Sequence, residues 1–181
     1  APVYGCRFLH THSAWSRAIQ AMKPAHRDTW VTLWDPSMYV GSATMPMLFV
    51  NGGTDFAYPP DSHAQTYALV KSPKQLHFVP KLAHGHFFDT PNAIEVYMDH
   101  HLKGGTPLAT VGPVQVGDKQ VTASVKADTD LVEAKLHYTL RALSDETGPR
   151  EWLEKPATVM EGAIVAELPP TNATIWFLTV T

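Results

Sequence analysis

The sequence predicts two architectures in series: an α/β segment with a parallel sheet and helices over residues 1–104, then an all-β antiparallel sandwich over residues 105–181. Three observations predict it. The first is a short, continuous apolar run, Met45-Pro-Met-Leu-Phe-Val50, which stops at Asn51-Gly52-Gly53. A run of that kind reads as a strand buried on both faces, as in parallel sheets. The second is a change of period, because after residue 105 apolar and polar residues alternate strictly, as in half-buried antiparallel strands. The third is a change of composition at Lys103-Gly104-Gly105-Thr106-Pro107. Residues 1–104 hold nine of the ten His, with 8 Lys+Arg against 7 Asp+Glu; residues 105–181 hold one His, with 6 against 10. Gly-Gly followed by Pro ends a helix and reads as a linker.

Along the first segment, Ser13 to Met22 carries Trp15, Ile19 and Met22 at helical spacing, with Ser13 as N-cap. Pro24 to Trp34 reads as a second helix with Pro in its first turn, ended by Asp35-Pro36. Asp61 to Val70 is expected to be helical and Gln75 to Val79 a short strand. Thr90-Pro91 opens a helix through Leu102. Strand–helix–strand order implies a layered sheet. In the second segment, residues 120–126, 131–140, 158–168 and 174–180 read as strands. The clusters Asp128-Thr-Asp130, Ser144-Asp-Glu-Thr-Gly148 and Pro169-Pro170 read as turns between them. Ala1-Pro2-Val3-Tyr4-Gly5 resembles the end of a buried strand, so the chain is expected to open inside a sheet. A raw sheet edge follows from that, with apolar surface exposed near Pro2–Gly5 and Leu48–Val50 unless a homo-oligomeric partner or an N-terminal part covers it.

Composition narrows the function classes. The net charge of −3 and the absence of a basic run give no reason to expect nucleic acid. No apolar stretch reaches the ~18 residues of a membrane span, so no membrane partner is expected. One Cys, Cys6, excludes an internal disulfide and a cysteine-based zinc site, and it reads as a buried inert thiol.

Two loops carry the chemistry. Asp55 follows the Met45–Val50 strand and its glycines, where ligands of open parallel sheets collect. His84 follows the Gln75–Val79 strand, 29 residues later with one helix between. That order brings carboxylate and imidazole to one sheet edge, where the carboxylate fixes the tautomer of a general base. His86 is the alternative base. His84 and His86 with Asp55 and Asp89 would also suit a mononuclear metal site, although that spacing is common in a His-rich chain and no metal or other cofactor is expected. His100-His101 lies near a helix end, where imidazoles meet the helix dipole, and His10 and His12 read as loop packing. A serine nucleophile would sit in G-x-S-x-G on a strand-to-helix turn. No such motif occurs, since Ser13, Ser42 and Ser62 all lack that context.

Taken together, Ala1-Pro-Val-Tyr-Gly-Cys6, Trp30-x-x-x-Trp-Asp-Pro36, Met45 to Pro59 with Asp55, and His84-Gly-His86 resemble α/β-hydrolases. The nearest group is the acetyl xylan esterase, cephalosporin deacetylase and dienelactone hydrolase-like enzymes, some of which carry a C-terminal immunoglobulin-like domain. Glu133-Ala-Lys-Leu-His-Tyr-Thr139 and Trp152 are similar to that domain. The resemblance implies the C-terminal half of an α/β-hydrolase sheet joined to an immunoglobulin-like sandwich. It implies a Ser-His-Asp catalytic triad with Asp55 as the acid and His84 as the base. It also implies an esterase acting on a small ester or acetylated carbohydrate, with no nucleophile in this chain and negligible activity of the chain alone. The competing expectations are a non-catalytic carbohydrate- or protein-binding module using Trp152 and Trp176 as stacking surfaces, and a His/Asp metal-dependent hydrolase.

Overall fold

A computed structural model describes residues 13–85, 92–142 and 150–181. The contacts divide the chain into two compact units, Ala1–His86 with Ala142–Arg150, and Phe87–Arg141 with Glu151–Thr181.

The first unit contains helices α1 (Ser16–Ala21) and α2 (Pro24–Trp34), strand β1 (Met47–Thr54), helix α3 (Pro60–Leu69) and strand β2 (Lys74–Ala83). Ser13 lies upstream of the α1 N-cap and accepts a hydrogen bond from the Trp15 N–H at 3.1 Å. Asp35 closes α2 and its carboxylate accepts from the Ser37 N–H at 2.9 Å, starting a single 3-10 turn. β1 and β2 pair in parallel, Met47 opposite Lys74, with α3 as the crossover. Phe49 of β1 is buried in a small cluster with Val40 and Val70, and Met47, Tyr67 and Leu69 pack against it.

The second unit opens with helix α4 (Asn92–Lys103) and continues through β3 (Thr110–Val111), β4 (Gln115–Val116), β5 (Gln120–Lys126), β6 (Ala134–Thr139), β7 (Leu153–Met160), β8 (Ala163–Glu167) and β9 (Ile175–Val180). α4 stops at Gly104, whose φ of 72° is easy only for glycine. The N–H groups of Gly104 and Gly105 cap the carbonyls of His100 and Asp99. All seven strands join one antiparallel sheet, ordered β3-β5-β8-β7-β6-β9 with β4 also on β5. β6 and β8 approach across β7 more closely than the ~10 Å of two flat strand spacings, so the sheet curls. Val121, Leu136, Ile164 and Leu178 from β5, β6, β8 and β9 form one core on its inner side. Glu161 and Gly162, both at positive φ, make the two-residue turn between β7 and β8. That turn splits the stretch 158–168, which alternates as though it were one strand.

These observations correct the expected fold class. Among the described residues there are nine strands and four α-helices, and seven strands belong to the antiparallel sheet. The protein is mostly β, and the half-sheet of an α/β-hydrolase is not what it forms. Parallel pairing stops at β1 and β2. The apolar run misled because Met47, Leu48 and Val50 are only half-buried; β1 is an edge strand, not one covered on both faces. Of the surface expected at Leu48–Val50, Phe49 is buried while Leu48 and Val50 stay half-buried, and Pro2–Gly5 lies outside the described residues. The two-layer immunoglobulin-like sandwich is replaced by one curled sheet. Alternation reveals that one face of each strand is buried, but a curled sheet and two stacked sheets bury that face alike. No helix is long and apolar enough to cross a membrane among the described residues.

Candidate functional site

The site is built where β1 runs out. Gly52 lies so close to β2 that a Cβ there would overlap the Leu82 carbonyl oxygen, so glycine is required. The strand register slips between Gly52 and Thr54, and Thr54 Oγ1 donates to the same Leu82 carbonyl at 2.8 Å. The irregularity re-aims the chain after the strand, as bulges beside functional sites do.

Asp55 follows. Its side chain is 9% exposed, and its Oδ1 accepts from the Ala57 N–H at 2.8 Å and the Tyr58 N–H at 3.0 Å. Asn51, buried within β1, steadies the same loop. Its Nδ2 donates to the Tyr58 carbonyl at 3.1 Å and its Oδ1 accepts from the Gly52 N–H at 2.9 Å. The Phe56 carbonyl accepts from the Ala14 N–H at 3.2 Å. The Ala57 and Tyr58 N–H groups and the Phe56 and Tyr58 carbonyls of the loop thus each have a fixed partner.

His84 lies just beyond the end of β2, with its Nδ1 3.1 Å from Asp55 Oδ1 and 3.2 Å from Oδ2. A carboxylate only accepts, so Nδ1 donates and the lone pair resides on Nε2. The His84 side chain is 33% exposed, and no described residue hydrogen-bonds Nε2. Two aromatic rings flank the imidazole: Phe56 edge-on at 5.2 Å between centroids, and Tyr58 tilted at 5.5 Å.

A second histidine belongs to the surroundings of Asp55. His63 on α3 is 3% exposed, with its ring edge-on to Phe49 at 5.8 Å. Burial pushes its pKa from 6.5 down to about 4, opposed by the negative charge of Asp55. The ring is therefore neutral at neutral pH, which spares the buried surroundings a second charge.

The structure therefore brings together Asp55 and His84, the two residues singled out from the loops. His86, the alternative base, lies outside the described residues, as do Asp89, Cys6, His10 and His12. Among the described residues no group of three or more His, Cys, Asp or Glu converges to hold a metal ion. The hydroxyls near β1 and α3 are engaged locally: Ser62 Oγ donates to the Pro59 carbonyl at 3.0 Å and Thr66 Oγ1 to the Ser62 carbonyl at 3.1 Å. His100 caps its own helix end, its Nδ1 2.7 Å from the Gly105 carbonyl. Trp152 is buried edge-on to Phe177 at 5.1 Å, and Trp176 is half-buried against the sheet core. Sequence reading missed His63, Asn51, Phe56 and Tyr58. Only Asp-Phe-x-Tyr, an aromatic pair in a turn beside a candidate carboxylate, offered a signal.

A family model described as PhoPQ-activated pathogenicity-related protein matches residues 10–142. The chain belongs to this family. Its description names no reaction, and no curated protein matches the chain. The match corrects the resemblance drawn from the motifs: the family is not the acetyl xylan esterase, cephalosporin deacetylase and dienelactone hydrolase-like group. Short runs such as Met45 to Pro59 recur wherever a strand ends in a glycine turn, which is why they misled. The α/β-hydrolase triad that the resemblance implied falls with it. In this family member Asp55 and His84 stand as a pair on their own geometry.

Proposed function

We propose that the Asp55–His84 pair is the general base of a carboxylic ester hydrolase that works by acyl transfer through a serine. The serine hydroxyl would come to Nε2 from outside the described residues, and the substrate is a small ester or an acetylated carbohydrate. One observation carries the reading: a carboxylate already fixed by two backbone N–H groups holds Nδ1 of a partly exposed imidazole whose Nε2 no described residue takes up. In the proposed reaction, Nε2 takes the hydroxyl proton as the oxygen attacks the ester carbonyl. The same proton then passes to the departing alcohol. Water, deprotonated by Nε2, next attacks the acyl-serine; the acid leaves, and the proton passes from Nε2 to the departing serine oxygen. Asp55 keeps the ring in the right tautomer throughout and faces the charge the ring acquires.

The test is hydrolysis of p-nitrophenyl acetate by the purified protein and by its H84Q and D55N variants. The expected loss in kcat is about 10²–10⁴-fold for either variant wherever the parent turns the ester over. Turnover that survives H84Q unchanged overturns the proposal.

A further inference from the structure

The tip of the Asp55 loop carries a feature that positioning a base does not require. Phe56 is 67% exposed, yet it stands on a turn held by several hydrogen bonds. Its carbonyl is held by Ala14, and the N–H groups of the two residues after it are held by the Asp55 carboxylate. The Tyr58 carbonyl is held by Asn51. An exposed large apolar ring on a slack loop needs no explanation, because isolated surface hydrophobics are common. Here the ring is presented on a pinned turn, 5.2 Å from the His84 imidazole, with the half-buried Tyr58 ring 5.5 Å from the same imidazole.

We propose that Phe56, backed by Tyr58, is a docking face for a planar aryl group of the substrate, so that the ester served by His84 carries an aromatic ring close to its reacting carbonyl. This rests on the reading of His84 as the base. Aromatic pairs prefer centroid separations of about 4.5–7 Å in offset or edge-to-face arrangements. Phe56 stands 5.2 Å from the His84 imidazole, so an aryl group seated on it lies beside that ring. The polar atoms of the turn are turned inward: the Asp55 Oδ1 and the Phe56 and Tyr58 carbonyls already have partners within the protein. Because the turn is preorganised, docking costs little ordering of the protein.

The experiment compares benzyl acetate with ethyl acetate as substrates of the purified protein, and separately titrates benzyl alcohol while following the His84 ring signals by NMR. Circular dichroism checks the fold of each variant, which a solvent-facing ring should leave intact. F56A is expected to lower the preference for benzyl over ethyl acetate, as a ratio of kcat/KM, by roughly three- to tenfold, and F56W to retain it. Benzyl alcohol is expected to shift the His84 signals saturably in the parent and F56W and to lose that saturation in F56A. An unchanged preference ratio in F56A overturns the docking face. If the protein turns over neither ester, the titration alone decides: a saturable shift lost in F56A sustains the docking face, and no saturable shift overturns it.

Discussion

The two units of this chain use burial differently. In the second, the most deeply buried side chains are apolar: Val121, Leu136 and Ile164 are fully inaccessible on the inner side of the curled sheet. In the first, much of what is buried is polar: Asp35, Asn51, Ser62, His63 and Thr66. A buried polar group costs free energy unless it is hydrogen-bonded, so it remains where structure or chemistry needs it. Asn51 and Asp55 are buried around one turn and hold it in place. The second unit is organised for stability, the first for holding a few groups still near solvent.

The largest expected effect tests the apolar side of this contrast. L136A should destabilise the second unit by about 2–5 kcal/mol, because it deletes a fully buried side chain in a core of modest size. Chemical denaturation followed in the second unit measures it. H84Q, in a partly exposed side chain, should cost far less stability there. Equal losses from both would break the distinction.

Next comes pH. His63 has a pKa of about 4 in the folded protein against 6.5 when unfolded. The unfolded chain therefore binds the proton more readily. The stability contributed by the neutral ring is complete above pH 6.5 and is lost as pH falls through about 4. The full loss is about 3 kcal/mol, at ~1.4 kcal/mol for each pH unit of the difference. Burial lowers the pKa of His77 and His137 in the same direction, so they steepen the same slope. Denaturation midpoints between pH 7 and 4 for the parent and H63Q check it; identical slopes would show that His63 is not a buried neutral ring.

The smallest effect concerns the backbone. G52A should cost about 1–3 kcal/mol, because the added Cβ would overlap a backbone oxygen of the neighbouring strand, which cannot move aside as a side chain can. It should also shift the His84 ring signals, since Thr54 and Asp55 follow the displaced strand. A G52A protein as stable as its parent would mean that the strands part there at no cost.

The pair Asp55–His84 was legible from sequence because it rests on order along the chain. An apolar strand ending in glycines, a helix, a second strand and a loop histidine place two side chains at neighbouring strand ends, whatever the rest of the sheet does. His63 was not legible, because Asp61-Ser-His63 in a helix looks alike whether it faces water or Phe49. Phe56 and Tyr58 were read past because aromatic residues in a loop acquire meaning only when their distance to another ring is known.

By itself the sequence determined the local elements. Pro24–Trp34 is a helix with proline in its first turn, Gln120–Lys126 is an alternating strand, and Gly104 ends α4. These follow from contacts within a few residues along the chain: hydrogen bonds of one turn, the period of side chains, and the φ that only glycine takes without strain. The tertiary structure decided what those elements join. A half-buried apolar strand is compatible with a wide parallel sheet or with a pair of edge strands, and alternation fits two stacked sheets or one curled sheet. Such choices are set by contacts between residues distant in sequence, and they made this chain a mostly β protein in which parallel pairing is confined, among the described residues, to β1 and β2.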